Sequence, residues 1–144
     1  MEIFAASGLV NAIIASAFGV LVILKNWRER ANQLYFLMTF SLAVWAFGYW
    51  RWLLIDNDYN AALFWVKILS IGSLFIPVFF FHWIVRFLSI ERINKYLVAV
   101  SYVIVLSILF FVDTPFFIND LQPAAFFPFW PRAGSVYDIY FSYF

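Results

Sequence analysis

Two cationic side chains lie inside apolar segments of this chain, and ionisable groups at such positions are the first candidates for chemistry. Arg51 stands near the end of one apolar run and Lys67 near the beginning of the next. On helices that cross a bilayer they would lie only about 6–9 Å below the interface, so their long stems can reach the polar layer. Alternatively, the two cations frame an anion-binding pocket beneath the acidic Asp56 and Asp58. Both interpretations stay open.

Lys67 is the stronger candidate of the two cations. Its helical face continues through Ser70 and Pro77, a small and polar stripe that is typical of a bundle interior. Pro77 removes one backbone hydrogen bond and is expected to kink its helix, which makes it a candidate hinge or an ordinary proline of a membrane helix. We therefore predict a ligand site that contains Lys67, Arg51, Ser70 and Trp130.

The remaining residues do not assemble into a catalytic or metal site. The chain has no cysteine and one histidine, His82, and its carboxylates lie between the apolar segments or, for Asp138, at the start of the last one. No Ser–His–acid set, glycine-rich phosphate loop or basic nucleic-acid patch is present. We predict that the chain is not an enzyme and has no metal, cofactor or nucleic-acid partner. His82 is interpreted as a polar tie between helices or, alternatively, as a proton sensor.

Long apolar segments position these residues. Four of them could each cross about 30 Å of hydrocarbon. They cover roughly residues 3–24, 34–55, 61–88 and 93–112, and a partial fifth covers 135–144. Continuous apolar runs lack the alternation of a barrel, so the cost of unpaired backbone in lipid predicts helices. With 66% hydrophobic residues, the chain is predicted to be one all-α domain, residues 1–144, forming a polytopic transmembrane helix bundle. The short fifth segment leads us to expect a fragment of a longer protein.

Basic residues accumulate on alternate sides of the predicted spans. The links after the first and third spans contain Lys25, Arg28, Arg30, Arg86, Arg92 and Lys95. The other two links contain a single basic residue, Arg132. The positive-inside rule therefore places the N-terminus outside the cytoplasmic membrane, together with the link of residues 113–134. Aromatic residues near that side are expected at the outer interface: Tyr49, Trp50, Trp52, Tyr59 and Trp65.

The outer link, "DTPFFINDLQPAAFFPFWPRAG", is rich in proline and aromatic residues. Its four prolines exclude a continuous helix, and we expect a long loop with little regular structure. Its rings either anchor the loop at the interface or cover the bundle mouth as a lid that shapes the ligand site. The rings are Phe116, Phe117, Phe126, Phe127, Phe129 and Trp130.

A stripe of small residues follows one face of the first span. It consists of Gly8, Ala12, Ala15, Ser16 and Gly19. Such stripes let helix backbones approach closely in lipid. The stripe is interpreted as packing within the bundle or, alternatively, as the seam of a homodimer.

Residues 36–88 contain a distinctive series: Trp45, Gly48, Tyr49, the "DNDYN" link, the "LFW" entry, Lys67, Gly72, Pro77 and the three phenylalanines 79–81. In this order they resemble the N-terminal seven-helix membrane region of bacterial sensor histidine kinases. The ending "FPFWPRAGSVYDIY" is similar to the outer loop of that family. The resemblance implies seven helices that feed a cytoplasmic kinase or another signalling output. Arg51 departs from the pattern, in which an apolar or acidic residue is expected.

We therefore predict a membrane-embedded sensory input module of the two-component type. An outward pocket between the second, third and fifth helices would bind a small ligand or sense the bilayer, and would bias an output module absent from this chain. Its expected partners are the lipid bilayer, the ligand, a second copy and that output module. The alternative is a subunit or half-repeat of a membrane transporter, although its midplane positions are mostly apolar.

Overall fold

The chain folds into a row of helices with a β-hairpin near one end. The computed structural model describes residues 2–125 and 127–143, and for 91–93 and 140–143 the backbone alone. Within that part the elements are α1 (Glu2–Lys25), α2 (Arg30–Leu53), α3 (Tyr59–Phe87), α4 (Glu91–Leu109), β1 (Ile118–Ala124), β2 (Phe127–Ala133) and α5 (Ser135–Tyr143). A helix therefore lies at each of the five apolar segments.

Two of the described helices, α1 and α3, are long and apolar enough to cross a membrane. The apolar part of α4, Asn94–Leu109, is shorter. The second helix begins with the polar sequence "RANQ", four residues before the apolar run from which a span was predicted. Apolarity therefore separates α1 and α3 from α2, and length separates them from the apolar part of α4.

Side-chain and backbone caps define the ends of the third helix. Asp58 accepts a hydrogen bond from the backbone N–H of Ala61 at 3.0 Å, which satisfies a donor of the first turn. At the other end Ser89 adopts a left-handed conformation with φ of 57°. The N–H of Ile90 then reaches the carbonyl of Val85 at 3.1 Å, the arrangement of a Schellman motif. Both ends of α3 are thus set by local sequence.

The first three helices pack at glycines. A Cβ on Gly72 of α3 would lie 2.6 Å from the backbone nitrogen of Trp45 in α2. A Cβ on Gly8 of α1 would lie 3.0 Å from the carbonyl oxygen of Ala46. The backbones of α1 and α3 therefore contact α2 from opposite sides.

The small-residue stripe of α1 faces α2 within the same chain. Gly8, Ala12, Ala15 and Gly19 are buried there, whereas Ser16 is exposed. The hydroxyl of Ser16 donates to the carbonyl of Ala12 at 2.8 Å. Packing within the bundle accounts for the four buried residues, which was the first of the two interpretations of this stripe.

The all-α prediction holds for most of the chain, with helices at 73% of its residues, but the proline-rich link is an exception. The expectation of little regular structure there was wrong, because β1 and β2 form an antiparallel hairpin with Leu121 opposite Pro131. A two-stranded ribbon leaves the outer row of N–H groups of each strand unpaired, so prolines are tolerated at its edges. The hairpin turns at Ala125, whose φ of 51° is left-handed. Phe126 lies outside the described residues.

Candidate ligand site beneath a docked hairpin

The hairpin is fixed to the end of α2 by Trp52. This side chain is only 6% exposed, and its Nε1 donates to the backbone carbonyl of Phe129 at 2.8 Å. Its ring stacks on Phe127, with centroids 6.0 Å apart, and contacts Trp130 at 5.9 Å. Trp52 was expected at the outer interface with its neighbours, but the strands cover it. The hairpin is thus bound to protein and not merely laid on the bilayer surface.

A second contact joins the hairpin to the start of α3. The hydroxyl of Tyr59 donates to Oδ1 of Asp120 at 2.8 Å. The backbone N–H of Leu121 donates to the same oxygen, and the amide of Gln122 donates to Oδ2. These donors, the tyrosine first, hold the pKa of Asp120 below its usual range. Asp120 therefore favours its charged form while the hairpin is docked.

The base of the hairpin is anchored by Phe117, which is fully buried. Its ring meets that of Tyr137 in α5 edge to face at 5.3 Å, and its carbonyl accepts the N–H of Gly134 at 2.9 Å. A Cβ at Gly134 would collide with the carbonyl of Phe116. Gly134 is required here because two backbone segments meet where β2 leads into α5.

A cavity of about 300 Å³ lies between α3, the hairpin and the start of α5. Its apolar wall is formed by Val66, Leu69, Phe117, Ile118, Pro131 and Ala133. Its polar groups come from Ser70, Trp130, Arg132 and Tyr137. The predicted pocket lay between the second, third and fifth helices; in this cavity the hairpin takes the place of α2. A mostly apolar cavity with a few polar groups is typical of a small-molecule site.

Arg132 is the cation of this cavity. It lies opposite Asp120 across the hairpin, yet that carboxylate is engaged by Tyr59, Leu121 and Gln122. Within residues 2–125 and 127–143, no acid forms an ion pair with Arg132. Its guanidinium is therefore available to an anionic group that enters the cavity.

Two of the four predicted site residues meet in this cavity. Ser70 is buried and donates its hydroxyl to the carbonyl of Val66 at 2.7 Å, which leaves its oxygen lone pairs as acceptors. Trp130 lies on the opposite side and is 39% exposed. The sequence placed these residues sixty positions apart, and only the docked hairpin brings them together.

Lys67 and Arg51 are not brought together. The ammonium of Lys67 lies 3.1 Å from the carboxylate of Asp113, just beyond α4. Arg51 instead lies over the indole ring of Trp65, on another side of α3, since residues two apart project about 200° from each other around a helix. Neither residue lines the cavity. Their ligand-binding roles stay predictions.

Pro77 lies inside α3, which continues through it to Phe87. Proline has no N–H to donate to the carbonyl of Ser73, four residues earlier. The hydroxyl of Ser73 donates to the carbonyl of Ser70 at 2.8 Å, which adds a side-chain bond in this turn. A weakened backbone ladder thus lies between the cavity and the far end of α3, and its use as a hinge stays a prediction.

The interpretation of His82 as a polar tie is confirmed. Its Nδ1 lies 3.0 Å from the hydroxyl of Tyr102 in α4, within hydrogen-bond distance. The two rings meet edge to face at 5.7 Å. Among the described residues no group of three His, Asp or Glu side chains could hold a metal ion.

Sequence reasoning missed Arg132, Trp52 and Tyr59. Arg132 carried a usable signal, because it is the only basic residue of the outer link and follows Trp130 and a proline. Trp52 and Tyr59 carried none, since their partners lie 77 and 61 residues away in the chain.

Comparison with known proteins supports a sensory role for this region. Residues 8–144 match the family described as the N-terminal 7TM region of histidine kinase. No match to the chain is found among curated proteins or among solved structures. The matched region is the sensory membrane part of those kinases and not their catalytic module. Since the match covers nearly the whole chain, this protein belongs to the family of N-terminal 7TM regions of histidine kinases.

Proposed function

We propose that the chain is the sensory input module of a two-component protein, crosses the cytoplasmic membrane several times and has its hairpin end outside. The cavity beneath the docked hairpin carries this proposal. The charge distribution supports the orientation, because Lys25 ends α1, Arg28 and Arg30 come next in the chain, and Arg86 lies in the last turn of α3, all at the end opposite the hairpin.

The ligand of this cavity is a small, largely apolar molecule with one anionic or accepting group. Arg132 supplies the charge, Trp130 an indole N–H and Ser70 an acceptor, while the wall is apolar. Lys67 stands one turn before Ser70 on α3, and it joins the site when a ligand displaces Asp113. An anionic group is thus held at the polar end of an apolar cavity.

A ligand in the cavity acts by changing how the hairpin and α5 sit against α3. It contacts all three elements, so it binds the docked arrangement better than an open one and shifts the population toward it. The shift passes along α3, whose backbone ladder is weakest at Pro77, to the opposite end of the bundle. There it biases the kinase or other output module joined to the chain.

Covalent filling of the cavity tests this function. The natural chain has no cysteine, so a Ser70→Cys variant has a single reactive thiol. A chimera extends α5 through the remaining membrane helices and the cytoplasmic kinase module of a family member, all free of cysteine, and is treated in lipid nanodiscs with an anionic or a cationic methanethiosulfonate reagent. We expect faster labelling by the anionic reagent, because Arg132 lies in the same cavity, and a shift of autokinase activity after labelling.

Ser107→Cys is the matched control, because Ser107 is exposed on α4 and its hydroxyl bonds only the carbonyl of Val103. We expect the cysteine of this control to be labelled slowly and its labelling to leave autokinase activity unchanged. Rapid labelling of Ser70→Cys with unchanged kinase activity would contradict the sensory role. Uptake of solute by vesicles of the purified chain would favour a transporter instead.

A further inference from the structure

Arg51 lies near two indole rings, and no acid of the described part of the chain forms an ion pair with it. Its guanidinium carbon lies 5.6 Å from the ring centre of Trp50 and 5.3 Å from that of Trp65. A cation–π contact does not use the N–H donors of the guanidinium. Among the described residues no carboxylate forms an ion pair with Arg51. A partly exposed cation therefore remains open to an anion.

An apolar groove begins at Phe47, one turn before this cation on α2. It has a volume of about 550 Å³ and runs between α1 and α2, with one residue of α3 at its side. Its wall includes Leu9, Ala12, Ile13, Val44, Phe47 and Ile68, and the hydroxyl of Ser16 is its polar group. Phe47 lies one turn from Arg51 on the same face of α2, and its ring contacts those of Trp50 at 5.2 Å and Trp65 at 5.7 Å. These three rings separate the cation from the groove.

The depth of the cation matches the polar layer of a membrane. Arg51 lies two residues before the end of α2 at Leu53, which is about 3 Å along the helix axis. An occupant must therefore place an anion at the level of the helix end and an apolar chain along α1 and α2. A phospholipid has this form.

We propose that Arg51, Trp50 and Trp65 bind the phosphate of one membrane phospholipid, and that an acyl chain of this lipid lies in the groove between α1 and α2. The guanidinium forms a charge-assisted contact with the phosphate, and the indole N–H groups lie beside it. Because no described carboxylate compensates the charge of Arg51, an anionic phosphatidylglycerol binds better than a zwitterionic phosphatidylcholine. This site lies apart from the cavity under the hairpin and does not depend on the proposed ligand there.

Native mass spectrometry of the purified full chain tests the proposal. The protein is stripped of lipid and titrated with phosphatidylglycerol, phosphatidylcholine, or a diacylglycerol with the same acyl chains. We expect one tightly retained phosphatidylglycerol, weaker phosphatidylcholine and no retained diacylglycerol. Arg51→Gln should weaken phosphatidylglycerol binding about tenfold, the size of one lost charge-assisted contact.

Arg28→Gln is the matched control. Arg28 also lies over an indole ring, that of Trp27 at 5.4 Å, but it is exposed near the opposite end and does not line the groove. The control should retain the lipid as the natural chain does. Equal losses in the two arginine variants would show unspecific attraction and overturn the proposal, as would unchanged binding in Arg51→Gln.

Ser16→Phe tests the groove without touching the cation. Its side chain is exposed and its hydroxyl bonds only the carbonyl of Ala12, so the larger ring can fill the groove while the helix persists. We expect lost lipid retention with an unchanged circular dichroism spectrum. Full retention in this variant, or equally tight binding of the diacylglycerol, would overturn the assignment of phosphate and acyl chain to this site.

Discussion

Helices α1 to α3 form one half of this molecule, and α4, the hairpin and α5 form the other. The two halves are held in place by different kinds of contact. From α1 to α3 the backbones meet at glycines, with Gly72 against the backbone of Trp45. On the other side, α4, the hairpin and α5 are attached through separate contacts, including those of Lys67 with Asp113 and of Trp52 with Phe129. Close packing tolerates little displacement, whereas separate contacts can break one at a time.

This difference indicates which part of the molecule can move. The cavity lies at the boundary between the halves, with Ser70 on the closely packed side and Arg132 on the attached side. In the proposed function, a ligand there would bridge α3 and the hairpin. Variants of each half should therefore behave differently, and the following experiments measure that difference.

The largest effect is expected for Trp52→Ala. It removes a buried ring and the hydrogen bond to Phe129, and loss of such a ring typically costs about 3–5 kcal/mol. Hydrogen exchange should become fast in β1 and β2 while α1 and α3 stay protected. Trp27→Ala, which alters an exposed ring, should leave exchange unchanged. Continued protection of the strands in Trp52→Ala would contradict docking by this residue.

Gly72→Ala should lower the stability of the closely packed half. The new methyl group would meet backbone atoms of Trp45 and Ser41, and overpacking of this kind typically costs about 1–3 kcal/mol. The midpoint of thermal unfolding in detergent should fall, with all helices affected together. Ala17→Leu places extra volume on an exposed face of α1 and should have little effect. An unchanged midpoint in Gly72→Ala would show that α2 and α3 can separate freely.

Tyr102→Phe should loosen α4 alone. It removes the hydroxyl that lies 3.0 Å from His82, at a net cost of about 1 kcal/mol for one hydrogen bond. The rate of hydrogen exchange at the amides of α4 should rise, while the rate in α2 should stay constant. Tyr96→Phe provides the control on the same helix, because Tyr96 is 71% exposed. If both variants loosen α4 equally, the tie to His82 does not hold the helix.

Lys67→Met should have a smaller effect, since Asp113 is well exposed. Ion pairs of this kind contribute at most about 1 kcal/mol and weaken as salt rises. Exchange at the end of α4 should increase slightly, and the difference from the natural chain should vanish in high salt. Lys95→Met, at an exposed lysine, is the control. A large loss of kinase output without this structural change would instead support Lys67 as a ligand-binding residue.

Acidification should release the hairpin through Asp120, with the smallest effect of the series. The donors led by Tyr59 hold the pKa of Asp120 below its ordinary 3.8, so the charged form favours docking. The contribution is complete above the pKa of the undocked carboxyl and is lost as the pH falls through the lower pKa of the docked state. Hydrogen exchange in β1, corrected for intrinsic rates, should rise over that acidic range, and less so in Tyr59→Phe. A rise near neutral pH would point to another group.

The sequence by itself determined the helices and the class of protein. Apolar runs place α1 to α5 because the backbone in lipid must be paired internally, and that constraint acts locally. The glycines, Pro77 and the "LFW" entry carried the resemblance that the family match confirms. Small residues also indicated close helix packing, although not which helix would face them.

Only the tertiary structure decided the composition of the site. The hydrophobic periodicity and polarity of a sequence predict structure over a few neighbouring residues. The hydrogen bond of Trp52, in contrast, joins groups 77 positions apart. That docking brings Ser70, Trp130 and Arg132 around one cavity, and it leaves Arg51 on another face above the groove of α1 and α2. Which cation lines the cavity and which lies beside the groove depends on how the hairpin folds back, because the side chains on both sides of the cavity come from segments distant in sequence.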